Sequence, residues 1–204
     1  MGDEIWKDRA AGAKLVCGID EAGRGPLAGP VCASAVILPE DFPVEILADS
    51  KALSPARREA AASVIRGQAR AWALGWASPW EIDRMNILAA ALTAMARAYR
   101  EVGLEADLIL VDGNRVPDLP APCLAVVRGD SRVPQIMAAS ILAKTARDRV
   151  MNRYDWLYPE YEYARHKGYP TREHRELCIQ LGPSPIQRRT FRVLTGGAVP
   201  KKLR

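Results

Sequence analysis

Hydrophobic positions along the chain fall into short apolar runs and longer spaced patterns, and the two alternate. Leu15-Val16-Cys17-Gly18-Ile19-Asp20 reads as a buried strand closed by a glycine-rich turn. Val31 to Leu38 is a second strand of small residues, ending at Pro39, and Arg70 to Ala77 a third, in which Trp72, Leu74 and Trp76 alternate with smaller side chains. Leu108-Ile109-Leu110-Val111 runs into Asp112-Gly113-Asn114, and Cys123 to Val127 runs into Arg128-Gly129-Asp130. Ser54-Pro55 followed by helix formers to Arg66 is a capped helix start. Pro79 to Val102 is predicted as one longer helix, with Ile82, Leu88, Leu92, Met95 and Tyr99 on one face. Further helices are expected from Pro134 to Arg153 and from Thr171 to Leu181.

Strands come first and then alternate with helices, which predicts an α/β fold with helices packed on a mixed sheet. Residues 1–154 are expected to form this body and 155–204 a small helical appendage with a basic tail. The length of 204 residues suits one such unit, since a chain of this size buries about 70% of its unfolded surface. No run nears the roughly 18 apolar residues of a membrane span. The acidic start, Asp3-Glu4, does not read as a signal peptide. Cys17, Cys32, Cys123 and Cys178 stand singly, which predicts reduced thiols and a cytoplasmic setting.

Charge is distributed unevenly. Residues 1–143 carry 15 Lys and Arg against 18 Asp and Glu, a net of −3, whereas 144–204 carry 14 against 6, a net of +8. A basic final third, with Arg188 and Arg189 taken as exposed charges, nominates a polyanion-binding face. A solvated basic surface with no partner would read the same way.

The chemistry lies in the acids. Asp20 with Glu21, Asp112, and Asp130 each follow an apolar strand run and precede a glycine or turn. Strands of one sheet running the same way bring such residues to one edge. Clustered carboxylates need cations, and all-oxygen ligands suit Mg²⁺ or Mn²⁺. Two such ions about 4 Å apart clamp an in-line phosphoryl displacement. Adjacent strand residues face opposite ways, so Asp20 and Glu21 share a metal only if the strand ends there. The turn Gly23-Arg24-Gly25 matches neither a dinucleotide fingerprint nor a P-loop, but its glycines let backbone approach a ligand closely. His166, His174 and Cys178 do not fit a zinc spacing. Trp72, Trp76, Trp80 and Tyr99 read as packing residues.

These pieces, in order, resemble the ribonuclease HII family, the type 2 ribonucleases H. The resemblance rests on Gly18-Ile19-Asp20-Glu21-Ala22-Gly23-Arg24-Gly25-Pro26-Leu27-Ala28-Gly29-Pro30-Val31, Asp49-Ser50-Lys51, Asp112-Gly113 and Gly129-Asp130. It continues in Ala139-Ser140-Ile141-Leu142-Ala143-Lys144, Arg147-Asp148 and His166-Lys167-Gly168-Tyr169-Pro170-Thr171 with His174. It implies a ribonuclease H-like mixed five-stranded sheet flanked by helices, with a small C-terminal helical region. It implies metal-binding, catalytic carboxylates at Asp20, Glu21, Asp112 and Asp130, and two Mn²⁺ or Mg²⁺ ions. By the same resemblance Gly23, Arg24 and Gly25 read a ribose 2′-hydroxyl, and Tyr169 stacks on the sugar of the next deoxynucleotide. Lys51 is either a phosphate contact or an ordinary surface lysine. Arg128 stands where the family usually has lysine, and Gln187 and Thr190 stand where it commonly has histidine and serine.

The implied activity is an endoribonuclease acting on RNA/DNA hybrids and on DNA duplexes containing ribonucleotides, incising on the 5′ side and leaving 3′-hydroxyl and 5′-phosphate. A cytoplasmic monomer in ribonucleotide excision repair is expected, with no membrane role. The rivals are a same-fold nuclease such as a junction resolvase, and a non-catalytic nucleic-acid module. The second has no use for four strand-end acids, since carboxylates without metals repel phosphate.

Overall fold

The structure, a computed structural model, describes residues 5–47 and 54–193. Five strands form one sheet: β1 (Val16–Ala22), β2 (Val31–Ile37), β3 (Ala71–Ala77), β4 (Leu108–Asp112) and β5 (Cys123–Val126), in the order β3-β2-β1-β4-β5. β1, β2 and β3 pair antiparallel, while β4 and β5 continue from β1 in parallel. The sheet is therefore mixed, as expected. The helices are α1 (Ile5–Ala11), α2 (Pro55–Gln68), α3 (Pro79–Met85), α4 (Ile87–Glu101), α5 (Pro134–Leu157), α6 (Tyr163–His166) and α7 (Arg172–Leu181).

The sheet's two faces follow from strand alternation. Cys17 and Ile19 of β1 join Ile109 and Val111 of β4 in a core with Ala90, Ala94 and Ala98 of α4. On the other face Val36 packs with Ala61 and Ile65 of α2 and with Ala138 and Ile141 of α5, and Leu108 and Leu110 pack on Ile136. Two glycines set how closely the helices approach. A Cβ on Gly18 would lie 2.2 Å from the Gln135 carbonyl carbon, so α5 crosses β1 only because that Cβ is missing. A Cβ on Gly75 would lie 2.0 Å from the Ala94 oxygen, which places α4 directly on β3.

Three readings of the sequence change here. The expected long helix is two helices, because Asn86 takes φ 72° and its side chain accepts from the Leu88 and Ala89 amides at 3.0 and 3.1 Å, capping α4 afresh. Trp80 is not a packing residue: it is 64% exposed, with the Arg84 guanidinium 4.7 Å from its ring centre. The short helix α1, with Trp6 against Leu108, Leu110 and Ile136, has no periodicity that would have announced it. Elsewhere the caps act as their residue types suggest: Ser54 accepts from the Arg57 amide, and Ser78 and Glu81 form a capping box.

α5 runs on to Leu157, across the expected boundary at residue 154, and the segment after it folds back onto the loop that follows β1. Leu27 donates to Gly168 at 2.8 Å, Gly29 to Ile186 at 2.9 Å, and Arg188 to Leu27 at 2.9 Å, all backbone to backbone. Ala28, Met151, Tyr161, Tyr163 and Ile186 form a separate apolar cluster there. Among the described residues no helix is long and apolar enough to cross a membrane.

The glycine contacts predict opposite outcomes at two sites. Gly75→Ala should destabilise by about 3 kcal/mol or more, because backbone on α4 cannot yield as a side chain can. Gly67→Ala, on α2 with open space around its Cβ position, should be neutral or gain up to about 1 kcal/mol. Urea unfolding of both variants measures this.

Candidate active site

The parallel ladder between β1 and β4 ends at Ile19 opposite Val111. The next residue of each strand is an aspartate, Asp20 and Asp112. By alternation both point to the α5 face, the face that Gly18 and Leu110 also serve. β1 does not end at Asp20, contrary to the condition for a metal shared with Glu21: its antiparallel pairing with β2 continues to Ala22 opposite Cys32. It ends only on its β4 side. Glu21 leaves the sheet on the α4 face, and with no β4 residue beside it the side chain still borders the same cleft. Asp130 arrives from a single 3-10 turn (Gly129–Ser131) after β5, and its amide donates to Asp112 Oδ1 at 3.2 Å. Arg128, at φ 56°, makes the left-handed step into that turn.

All four acids therefore line one cleft of about 370 Å³, together with Gly23, Arg58, Ser140, Lys144 and Tyr169. Asp20 is 5% and Asp130 7% exposed. Burial first, and then the charges of Glu21 and Asp112, hold the Asp20 carboxyl well above the usual carboxylate range. Burial likewise raises Glu21, against the pull of Arg24, whose Nη1 is 3.3 Å from Glu21 Oε1. The other oxygen, Oε2, is buried without a hydrogen-bond partner. No group of three or more carboxylate, imidazole or thiolate side chains among the described residues is drawn together closely enough to hold an ion alone. The acids share an open cleft rather than a closed cage. Such a donor set fits Mg²⁺ or Mn²⁺: the oxygens are hard, one is unpartnered, and Mg²⁺ keeps several waters and takes only one or two carboxylates.

The turn after β1 places Gly25 beside Tyr169: a Cβ at residue 25 would lie 3.9 Å from Tyr169 Cε1. Tyr169 is 37% exposed, with Lys144 Nζ 5.4 Å and Arg147 Cζ 5.7 Å from its ring centre. Gly23 faces the other way. Its φ is 102°, and a Cβ there would meet Arg147 Nε at 2.1 Å, in the interior rather than in the cleft. Gly23 thus offers only its backbone to the cleft it lines, while Gly25 stands beside Tyr169 on the rim. Lys51, with Asp49 and Ser50, lies outside the described residues.

The histidines fix Tyr169 from behind. His166 and His174 stack with ring centres 4.2 Å apart. Gly168 donates to His166 Nδ1 at 3.1 Å, so the His166 proton sits on Nε2 and is donated to the Tyr161 carbonyl at 2.9 Å. His174 Nδ1 donates to the Tyr169 carbonyl at 2.9 Å. Burial, then the neighbouring His166, pushes His174 down to about 4, so the pair is neutral at physiological pH. Cys178 meets Gln187 Oε1 at 3.5 Å.

Composition overstated the basic surface. Arg188 is not exposed but 0% accessible, as is Arg147. Lys144 pairs with Asp148, Arg165 with Glu162 and Glu173, and Arg172 with Glu176. Arg58 is a cleft residue that the sequence motifs miss, whereas Ser140 and Lys144 both belong to one of them. For Arg58 there was no signal, because it sits on an ordinary amphipathic helix.

A mixed sheet that gathers buried carboxylates at the shared end of its parallel strands defines a metal-dependent nuclease of ribonuclease H-like architecture. The ribonuclease HII family model matches residues 17–194. The ribonuclease HII of Laribacter hongkongensis is 56% identical over 180 residues, covering 87% of this chain and 91% of that protein. The crystal structure of ribonuclease H2 from Pyrococcus horikoshii superposes with a TM-score of 0.73 at 28% identity, covering 88% of this chain and 94% of that one. Ribonuclease HII of Archaeoglobus fulgidus, solved as a complex with PCNA, gives 0.70 at 26% identity over 85% and 92% of the two chains. The chain belongs to the ribonuclease HII family. It is accordingly an RNase H endonuclease that hydrolyses RNA in RNA/DNA hybrids with the help of divalent metal ions.

Asp20 makes the electrostatic tension in the cleft measurable. In the unfolded chain its carboxyl returns to about 3.9. A raised folded value costs nothing below that pH, costs progressively more as pH rises toward the folded value, and costs its full amount above it. In EDTA at pH 7, Asp20→Asn should therefore be more stable than wild type by on the order of 1 kcal/mol. The gain should vanish in thermal melts below about pH 4. A variant destabilised at pH 7 would refute the assignment.

Proposed function

We propose that this enzyme incises on the 5′ side of ribonucleotides embedded in duplex DNA, as well as within hybrids, leaving 3′-hydroxyl and 5′-phosphate ends. The observation that carries the reading is the position of the Gly23-Arg24-Gly25 turn and Tyr169 on the rim of the cleft that Asp20, Glu21, Asp112 and Asp130 line. The four carboxylates would hold two Mg²⁺ or Mn²⁺ ions. Such ions, once bound, supply an activated water and stabilise the leaving 3′ oxygen.

The protein's own part is placement. Asp20 and Asp112 project side by side from adjacent parallel strands, so the oxygens they would offer to the ions are fixed rather than mobile. Lys144 and Arg58 bring positive charge to the same cleft and share Asp148, at 2.7 and 3.4 Å. Partly exposed pairs of this kind are weak and can re-form on phosphate at little cost. The turn presents backbone to the 2′-hydroxyl, the one group that tells RNA from DNA at a site. Tyr169, braced by His174, offers an aromatic face to the next sugar. We take residues 155–204 as a C-terminal appendage, whose described part holds this rim through Gly168, Ile186 and Arg188. A monomer in the cytoplasm completes the proposal.

Cleavage assays with one embedded ribonucleotide, a continuous hybrid, plain duplex DNA and a four-way junction, with and without Mg²⁺ or Mn²⁺, test the reading. Cleavage of the first two alone, only with metal, is expected; resolution of the junction would overturn it. Asp112→Asn should lower kcat by on the order of 100-fold or more with the fold intact. Metal at 100 times its Kd should stabilise wild type by about 2.7 kcal/mol, and this variant by clearly less. Tyr169→Ala should shift the kcat/KM ratio between a ribonucleotide–deoxynucleotide junction and continuous RNA by about 5-fold or more, the scale of one lost stacking contact. An unmoved ratio makes Tyr169 a packing residue.

A further inference from the structure

Arg147 and Arg188 are fully buried, and the donors they place all reach backbone carbonyls. Arg147 Nε reaches Pro30 at 2.9 Å, Nη1 reaches Lys167 at 3.0 Å, and Nη2 reaches Ala28 at 3.2 Å. Arg188 Nε reaches Gly29 at 2.9 Å, Nη1 reaches Arg24 at 3.0 Å, and Nη2 reaches Gly23 at 2.6 Å and Pro30 at 3.3 Å. Two like charges side by side in an interior are costly to maintain, and apolar residues would fill the same volume more cheaply. What the guanidiniums achieve, and apolar groups could not, is to fix the direction of five carbonyls between Gly23 and Pro30.

In a trans peptide the carbonyl and the following N–H point in opposite directions, and the described residues have no cis bond. Carbonyls drawn inward therefore send the next amides outward. After Ala28 that amide is Gly29, which is used on Ile186; after Gly29 comes Pro30, which has no N–H; after Pro30 comes Val31, already in β2. Only the Gly23 and Arg24 carbonyls leave outward amides for a ligand, those of Arg24 and Gly25. Both carbonyls are held by Arg188. Neither amide donates to another group among the described residues. Gly25 itself stands beside Tyr169, which lines the cleft.

We propose that Arg188 is a positioning residue for ribose recognition: by holding the Gly23 and Arg24 carbonyls inside, it aims the Arg24 and Gly25 amides at an oxygen in the cleft. The inference rests on the reading of this turn as the 2′-hydroxyl reader, and a phosphate oxygen is the competing acceptor. It also accounts for a C-terminal residue acting on a turn 164 positions away.

Arg188→Lys keeps a positive charge but replaces the fork by one ammonium, which cannot serve Gly23, Arg24 and Gly29 together. The measurement is kcat/KM on a DNA duplex with one ribonucleotide, against the same duplex carrying 2′-fluoro at that sugar. The ribonucleotide preference should fall at least tenfold in Arg188→Lys and also in Gly25→Ala. Equal losses on both substrates in Arg188→Lys, with the preference still sensitive to Gly25→Ala, would overturn this proposal alone. Insensitivity in both variants would overturn the 2′-hydroxyl reading and leave phosphate as the acceptor. Should Arg188→Lys fail to fold, wild-type amide exchange decides the geometry. The Arg24 and Gly25 amides should exchange freely in the free protein and be protected, in EDTA, by the ribonucleotide duplex. Protection in the free protein would show that they point inward, and the proposal would fall.

Discussion

The parallel pairing of β1 with β4 sets everything else in the cleft. Its last rung joins Ile19 to Val111, so the residues that follow, Asp20 and Asp112, are neighbours on one face with nothing between them. A parallel pair cannot be closed by a hairpin, and here the chain reaches β4 only after β2, α2, β3, α3 and α4. That detour puts α4 on one face and α2 on the other, where α5 packs beside it. α5 can lie close enough to bring Ser140 and Lys144 into the cleft because residue 18 has no Cβ. The acid cluster thus depends as much on a missing methyl as on the acids themselves.

The basic third illustrates how far composition can mislead about where charge acts. Its surplus of positive residues is real, yet two of them lie in the interior holding carbonyls, and several more sit in exposed pairs with glutamates. Such exposed pairs contribute little to stability. Around the carboxylates the positive charge comes instead from Arg24, Arg58 and Lys144, two of which belong to the mildly acidic body. Position relative to the sheet end decides which charge meets a phosphate, and the halves of the chain do not.

Strand existence, sheet character and the four acids were legible because each rests on a local rule: apolar run, turn, acid at the turn. Asn86 defeated the helix prediction because the break comes from a left-handed residue that caps the next helix, which periodicity cannot register. Trp80 and Arg188 failed together and for one reason. Residue type gives the average environment, and here an indole is outside while a guanidinium is inside. The direction of Gly23 was also beyond the sequence: glycine announces freedom of φ but not which neighbour occupies the space, and that neighbour, Arg147, is 124 positions away.

Two polar networks of opposite character stand side by side at this rim. In one, buried guanidiniums and inward carbonyls satisfy each other many times over. In the other, burial and then neighbouring carboxylates raise the proton affinity of Asp20 and Glu21, and a buried Glu21 oxygen has no partner. An unsatisfied buried polar group costs about 1–3 kcal/mol, and a loosely held turn beside it would collapse inward to relieve that cost. The Gly25 amide could then turn toward the Glu21 carboxylate. The saturated network prevents this, because the Gly23 and Arg24 carbonyls would have to leave Arg188 first. Rigidity supplied from the C-terminal segment is what holds the turn in place beside an unsatisfied carboxylate oxygen.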